Sequence, residues 1–92
     1  MTDEPIGGRQ ASNGLSANTV VKTGPGRIVR VSVTTAGAVG AIYDSATVGA
    51  IGASNLIGVV PATVGIYYFD WPVLSGIVYA PGAAQVASIT YD

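Results

Sequence analysis

The sequence contains no cysteine and no histidine. Without cysteine the chain cannot form a disulfide, a thiolate zinc site or a thiol nucleophile. Without histidine it lacks the commonest general base and the commonest metal ligand. Because the usual catalytic and metal-binding side chains are missing, we expect no enzymatic activity, no cofactor and no metal site.

The carboxylates that remain are scattered along the chain. Beyond residue 30 they are Asp44, Asp70 and Asp92, whose positions match no calcium-binding loop. A hydrolytic carboxylate pair would need two of them to converge on one point. We interpret all three as charges of turns and of the chain terminus. The Gly24-Pro25-Gly26 segment also lacks the glycine spacing of a phosphate-binding loop.

Charge is scarce and unevenly placed. Charged residues make up 10% of the chain, against about 25% in an ordinary soluble domain. All cations lie in the first 30 residues, and the formal net charge is −1. Nucleic-acid binding needs clustered Lys and Arg against the phosphates. We therefore expect no nucleic-acid partner and a surface built from small residues.

Signals for secretion or membrane insertion are weak. The start MTDEPIGGRQ has neither a basic region nor an apolar stretch, so no signal peptide is predicted. Residues 45–69 are uncharged and long enough to span a bilayer. However, this run contains Pro61, Asn55 and four glycines, and no Lys or Arg follows it. We expect cytosolic synthesis and no membrane partner.

Residues 1–17 differ in composition from the rest of the chain. They combine Gly, Ser, Asn, Pro and charge with Ile6 and Leu15 as isolated large apolar residues. Such a segment gains too little from burial to offset its own ordering entropy. We predict a flexible N-terminal arm over 1–17 that contacts a partner through Ile6, Arg9 and Leu15, followed by a single domain over 18–92.

The pattern of the domain predicts a series of short strands. β-Branched residues form short runs between Gly, Pro, Asn and Asp residues. No window has a helical period long enough to compete. The predicted strands cover 19–23, 27–35, 38–43, 47–53, 55–60, 64–71, 77–80 and 84–91, with 38–43 and 47–53 forming a hairpin. Seven or eight such strands predict an all-β, antiparallel sandwich or jelly roll.

Alternation along two strands predicts the core. In 27–35 one face carries valines and the other carries Arg30, Ser32 and Thr34; in 64–71 aromatic residues share one face. The predicted core residues are Val29, Val31, Val33, Tyr67, Phe69 and Trp71. The aromatic cluster also suits a sugar-stacking platform, an interpretation that competes with the core assignment.

Three strands are apolar on both faces, whereas each sheet of a sandwich has one inner face. The opposed sets are Ile28 against Val29, Ile66 and Tyr68 against Tyr67 and Phe69, and Ile77 against Val78. Soluble monomers seldom expose large apolar patches. We therefore expect self-association as a dimer or trimer, or a larger protein partner, with Ile66 and Tyr68 as candidate contact residues.

Three segments together resemble small β-sandwich proteins of tailed-phage virions, of the head decoration (cement) type. They are KTGPGRIVRVSVTTAGAVGAIYDS (22–45), VGIYYFDWPVLSGIVYAPG (64–82) and the closing VASITYD. The shared pattern is a GPG turn into a Val-rich strand, TTAG, an IYD turn, a Gly-aromatic strand ending in Pro, and a final hairpin. It covers all but the N-terminal arm and includes no catalytic motif.

The resemblance implies a non-enzymatic structural protein of the virion head surface, synthesised in the bacterial cytoplasm. It implies binding to the outer head lattice, with a major capsid protein as partner, as a small oligomer. Other virion parts use similar strands, so a tail, neck or fibre module is the alternative. A carbohydrate-binding sandwich is the second alternative.

Overall fold

The computed structural model describes residues 10–92, which form eight β-strands and two short 3-10 turns. The strands are β1 (Gln10–Leu15), β2 (Thr19–Thr23), β3 (Gly26–Thr35), β4 (Gly40–Tyr43), β5 (Leu56–Val60), β6 (Gly65–Val73), β7 (Gly76–Ala80) and β8 (Val86–Tyr91). The 3-10 turns, Val48–Ala50 and Ala53–Asn55, lie between β4 and β5. Within residues 10–92, no helix is long and apolar enough to cross a membrane.

The strands form two four-stranded antiparallel sheets with the orders β1-β8-β3-β6 and β2-β7-β4-β5. Within this arrangement β1 pairs with β8, β2 with β7, β3 with β6, and β4 with β5. That nesting is one long hairpin wrapped around itself, which is the topology of a jelly roll. The predicted all-β sandwich of seven or eight strands is confirmed.

The core lies between the sheets and consists mainly of β-branched side chains from several strands. Alternation places one side of each strand against the opposite sheet, and each fully buried Val or Ile stabilises the fold by about 1.5–3 kcal/mol. The core cluster comprises Val21, Ile28, Val31, Val33, Ile42, Val60, Val73, Ile77, Tyr79, Ala87 and Ile89. Tyr67 and Phe69 are partly buried and pack against it, and Val29, Val31 and Val33 are buried, as predicted.

A bulge in β3 explains why Ile28 and Val31 both belong to the core although three positions separate them. Against β8, Ile28 pairs with Tyr91 and Arg30 with Thr90, so Val29 is an extra residue on β3. One extra residue shifts the alternation by one position. Ile28 therefore faces inward, and because Ile28 and Val29 are both buried within this chain, this pair leaves no apolar surface for a partner to cover.

The doubly apolar strands thus differ in how they are covered. Ile77 and Val78 are both fully buried within the described part of the chain, and β7 is an inner strand of its sheet. By contrast, Ile66 and Tyr68 remain exposed on β6, an edge strand. Of the three opposed sets, only the one that contains Ile66 and Tyr68 leaves apolar side chains exposed for a partner to cover.

Two predicted elements need correction. Residues 47–53 form no strand, and β4 pairs with β5 instead. Small residues around Gly49 and Gly52 offer little side-chain surface for a strand, and the Asp44 N–H donates to the Asn55 carbonyl (2.8 Å) across the loop. The arm boundary at residue 17 is also wrong, because Gln10–Leu15 is strand β1 and pairs with β8.

Candidate interaction surface

The outer side of β6 carries the exposed apolar side chains that sequence reasoning selected as contact residues. Ile66 is 62% exposed and Tyr68 71% exposed, whereas their neighbours Tyr67 and Phe69 pack against the core. Tyr67 is further fixed because its hydroxyl donates to the Thr63 carbonyl oxygen (2.7 Å). A strand paired with β3 and packed against the core therefore presents both residues to solvent.

Arg30 on β3 lies over the face of the Tyr68 ring. Its guanidinium carbon lies 5.7 Å from the ring centroid, within the range of a cation–π contact. Arg30 pairs with Tyr68 on one side and with Thr90 on the other, and its Nε donates weakly to Thr90 Oγ1 (3.4 Å). The next row places Ile66 beside Ser32, which pairs with Ser88. Small polar residues and one cation thus surround the two apolar side chains.

Trp71 does not belong to the core, contrary to the prediction from alternation: it is 54% exposed. The strand is interrupted just before it. Ile28 pairs with Trp71 and Arg30 with Tyr68, which leaves two β6 residues opposite one β3 residue. Asp70, within this irregularity, has a φ of 47°, in the left-handed region that a non-glycine residue rarely adopts. Such bulges redirect side chains at sheet edges.

The Asp70 carboxylate forms an ion pair with Arg27, with 2.6 Å between Arg27 Nη1 and Asp70 Oδ1. Both side chains are at least half exposed, so the pair contributes little to stability. Together with Trp71 it forms a polar and aromatic corner at one end of β6.

Asp44 stabilises the loop between β6 and β7. Its carboxylate accepts hydrogen bonds from the backbone N–H groups of Leu74 (3.1 Å), Ser75 (2.8 Å) and Gly76 (3.3 Å). Partial burial raises the pKa of Asp44, but these N–H groups together lower it by more, so the net pKa lies below 3.8. The carboxylate is therefore committed to holding a turn.

Gln85, a buried polar residue that the sequence analysis missed, links the β5–β6 and β7–β8 loops at the end of the sandwich opposite Asp44. Gln85 and Tyr79 are fully buried. The Tyr79 hydroxyl donates to Gln85 Oε1 (2.5 Å), and Gln85 Nε2 donates to the Pro61 carbonyl oxygen (2.9 Å). Burial raises the pKa of Tyr79 to about 12. No sequence motif marks a glutamine as buried, and the sequence placed Gln85 only near the start of the predicted strand 84–91.

Of the three contact residues predicted in the N-terminal arm, the structure describes only Leu15. Ile6 and Arg9 lie outside the described residues. Leu15 is partly buried and packs against the core cluster from β1, so it is a structural residue of the sandwich and not a free anchor for a partner.

Within residues 10–92, no three side chains of the His, Cys, Asp and Glu types come together in a group that could hold a metal ion. Comparisons with protein-family models, with curated proteins and with solved structures find no match to this chain.

Proposed function

We propose that this chain is a non-enzymatic structural protein that works by packing against other protein chains, as a component that decorates the outer head lattice of a tailed phage. The observation that carries the proposal is the exposure of Ile66 (62%) and Tyr68 (71%) on an edge strand. Leaving them in water forgoes burial worth roughly 1.5–3 kcal/mol for each side chain. Contact with another protein recovers that free energy.

The composition of this surface supports a protein partner. Tyr, Trp and Arg are enriched among the residues that dominate binding free energy at interfaces, and Arg30 already orients Tyr68. The jelly-roll topology supports the virion role only weakly, because viral capsid domains and lectins both use it and fold alone does not determine function. The virion assignment rests on the resemblance of the sequence pattern.

The proposal assigns no catalytic residue. In the described part of the chain, Asp44 holds the β6–β7 loop and Asp70 pairs with Arg27. Both carboxylates thus have structural partners. A tail, neck or fibre module remains the alternative within the virion, and the place and copy number on the particle distinguish the two. A decoration protein covers the whole head in stoichiometric amounts, whereas a tail component occupies one vertex or the tail.

The test measures loading onto phage heads that lack this protein. Tyr68→Ala should reduce binding at least tenfold, as expected when a central interface residue is truncated. The matched control is Val48→Ala, since Val48 is 37% exposed in the loop between β4 and β5. That loop follows Asp44, which bonds the segment after β6, so it lies towards the C-terminal end of β6 and not beside Ile66 and Tyr68. Equal loading by both variants, or no loading by the parent protein, would contradict the proposal.

A second candidate function is carbohydrate binding, and the specific observation that favours it is Trp71. An exposed indole (54%) lies next in sequence to Asp70, which forms an ion pair with Arg27, and sugar sites commonly combine a stacking ring with such hydrogen-bonding groups. Glycan-array binding by the isolated protein that is lost in Trp71→Ala, but kept in Tyr68→Ala, would favour this function over the first.

A further inference from the structure

The two sheets have four edge strands, and three of them are interrupted or polar. β1 has a register shift between Ser12 and Leu15 and is rich in polar residues. β2 has a shift between Val20 and Lys22 and carries that lysine. β5 keeps three continuous partners before Pro61 ends it. Bulges, lysines and prolines are the devices that prevent a sheet edge from pairing with another chain.

β6 is protected along one half and open along the other. Its C-terminal half contains the irregularity at Asp70 and then Pro72, which has no N–H to donate. Its N-terminal half, residues 65–69, pairs with β3 in continuous register from Gly65 to Tyr68. The sequence of this half, GIYYF, contains no charge and no proline. An apolar, regular and unblocked edge is the kind that recruits a further strand.

We propose that the strand added there is residues 65–69 of a second copy of this chain, antiparallel, about a two-fold axis at Tyr67. The inference rests on the proposed function and names its first partner. In this register Ile66, Tyr67 and Tyr68 pair inside the continuous run, and Gly65 and Phe69 pair at its two ends. The sheet β1-β8-β3-β6 then continues into the same sheet of the partner.

The exposed side chains are complementary to themselves in this register. Ile66 lies directly opposite the partner's Tyr68, and Tyr68 lies opposite the partner's Ile66, on the same outer face. Pairs of an aromatic and a β-branched residue directly across antiparallel strands are favourable. Each Tyr68 ring then sits between its own Arg30 and the isoleucine of the other copy, so both sides of the ring are covered.

Charge and area also fit a second copy. Two identical surfaces repel where they are charged, but residues 65–69 carry no charge, and the adjacent Arg30 already faces Tyr68. Ile66 and Tyr68 are the exposed apolar side chains on the outer face of residues 65–69. A contact made by one short strand and these side chains is smaller than the roughly 1,000 Å² of a stable biological interface and fits a weak, transient one. We expect a reversible dimer.

Cysteine cross-linking tests the register, and the chain has no cysteine of its own. Ile66→Cys and Tyr68→Cys are made as separate proteins and mixed under mild oxidation. The thiol introduced at position 66 of one copy then lies opposite the thiol introduced at position 68 of the other, with Cβ atoms about 4.5–5.5 Å apart. A small adjustment brings the two sulfurs within disulfide reach. The mixed pair also keeps one intact contact between Ile66 and Tyr68. We expect a covalent dimer as the main product.

Each single variant is the control. In a dimer of Ile66→Cys alone, or of Tyr68→Cys alone, the two introduced thiols would be diagonal neighbours about 7–8 Å apart. That separation is outside the reach of a disulfide, so each variant alone should give at most a tenth of the dimer seen in the mixture. No excess of dimer in the mixture would overturn the proposed register.

Light scattering on the parent protein and on Ile66→Lys supplies the second measurement. The parent should dimerise at tens of micromolar, and Ile66→Lys should be monomeric, whereas the matched Val48→Lys should still dimerise. A monomeric parent that nevertheless loads onto phage heads would overturn the two-fold pairing and leave the proposed function standing. A dimer that cross-links in the mixture but does not load onto phage heads would overturn the proposed function and leave the two-fold pairing standing.

Discussion

Replacing Asp44 with alanine should destabilise the fold by about 2 kcal/mol, because the carboxylate satisfies three consecutive backbone N–H groups of the β6–β7 turn. Leu74 and Ser75 are exposed, so water can replace the lost acceptor there. Gly76 is buried, and depriving a buried N–H of its acceptor costs about 1–3 kcal/mol. For a domain of this size, a loss of about 2 kcal/mol lowers the melting temperature by roughly 8–16 °C.

Circular dichroism melts of three proteins test this reasoning. Asp44→Asn should fall between the parent and Asp44→Ala, because its amide oxygen still accepts but carries no charge. The control is Asp70→Asn, which removes the carboxylate of an exposed ion pair and keeps a residue type that tolerates positive φ. Its cost should stay within about 0.5 kcal/mol. If Asp44→Ala melts together with Asp70→Asn, the turn does not depend on Asp44.

The same carboxylate predicts a pH dependence. The pKa of Asp44 is below 3.8 in the folded protein, so the unfolded chain binds the proton more tightly. Its contribution is therefore fully present above the unfolded pKa and is lost as the pH falls through the lower folded value. The stability gap between the parent and Asp44→Asn should be constant near neutral pH and should shrink below about pH 4. A gap that widens in acid would mean that the sign is wrong.

Three further changes probe the core and the two aromatic environments. Val31→Asp buries a carboxylate at a fully buried position and should cost several kcal/mol, whereas Ser32→Asp should be nearly neutral; equal denaturation midpoints would contradict the β3 register. Trp71→Ala should cost less than about 1 kcal/mol in thermal melts, and a loss of about 3–5 kcal/mol would return Trp71 to the core. Tyr79→Phe removes the donor to Gln85 and should cost about 1 kcal/mol in urea unfolding. Because the folded pKa of Tyr79 is raised from 10.0 to about 12, the stability that this shift contributes is full below the unfolded pKa and is lost as the pH rises through the folded value. An ultraviolet titration should show one tyrosine ionising late.

The sequence was sufficient to predict the fold class and most strands, because these depend on local composition. β2 was placed at its observed bounds, and the alternation in β3 assigned Val31 and Val33 correctly to the core. β1 was missed for the opposite reason. Its residues QASNGL have little strand character of their own, and they form a strand because β8 offers an edge to pair with. Pairing with a distant segment leaves no local signal.

The errors in side-chain orientation have a common physical cause. Alternation predicts faces only as long as the strand is regular, and one inserted residue reverses every assignment beyond it. The bulge in β3 moved Ile28 into the core, and the irregularity at Asp70 precedes the exposed Trp71. Neither the bulge at Val29 nor the irregularity at Asp70 contains a glycine, the residue that often marks an irregular strand backbone in a sequence.

The same irregularity links the fold to the proposed interface. Asp70 and Pro72 make the second half of β6 unable to extend the sheet, while residues 65–68 stay in continuous register with β3 and carry no charge. If the exposure of Ile66 and Tyr68 had no function, an irregularity in only one half of the β6 edge would not prevent aggregation. The other half would still be free to pair with a further strand. Blocking one half instead limits pairing to the N-terminal half of β6, where the proposed register is the one that places Ile66 opposite Tyr68. In the proposed dimer, the irregularity that made the sequence prediction for Trp71 wrong would therefore also make association through β6 specific.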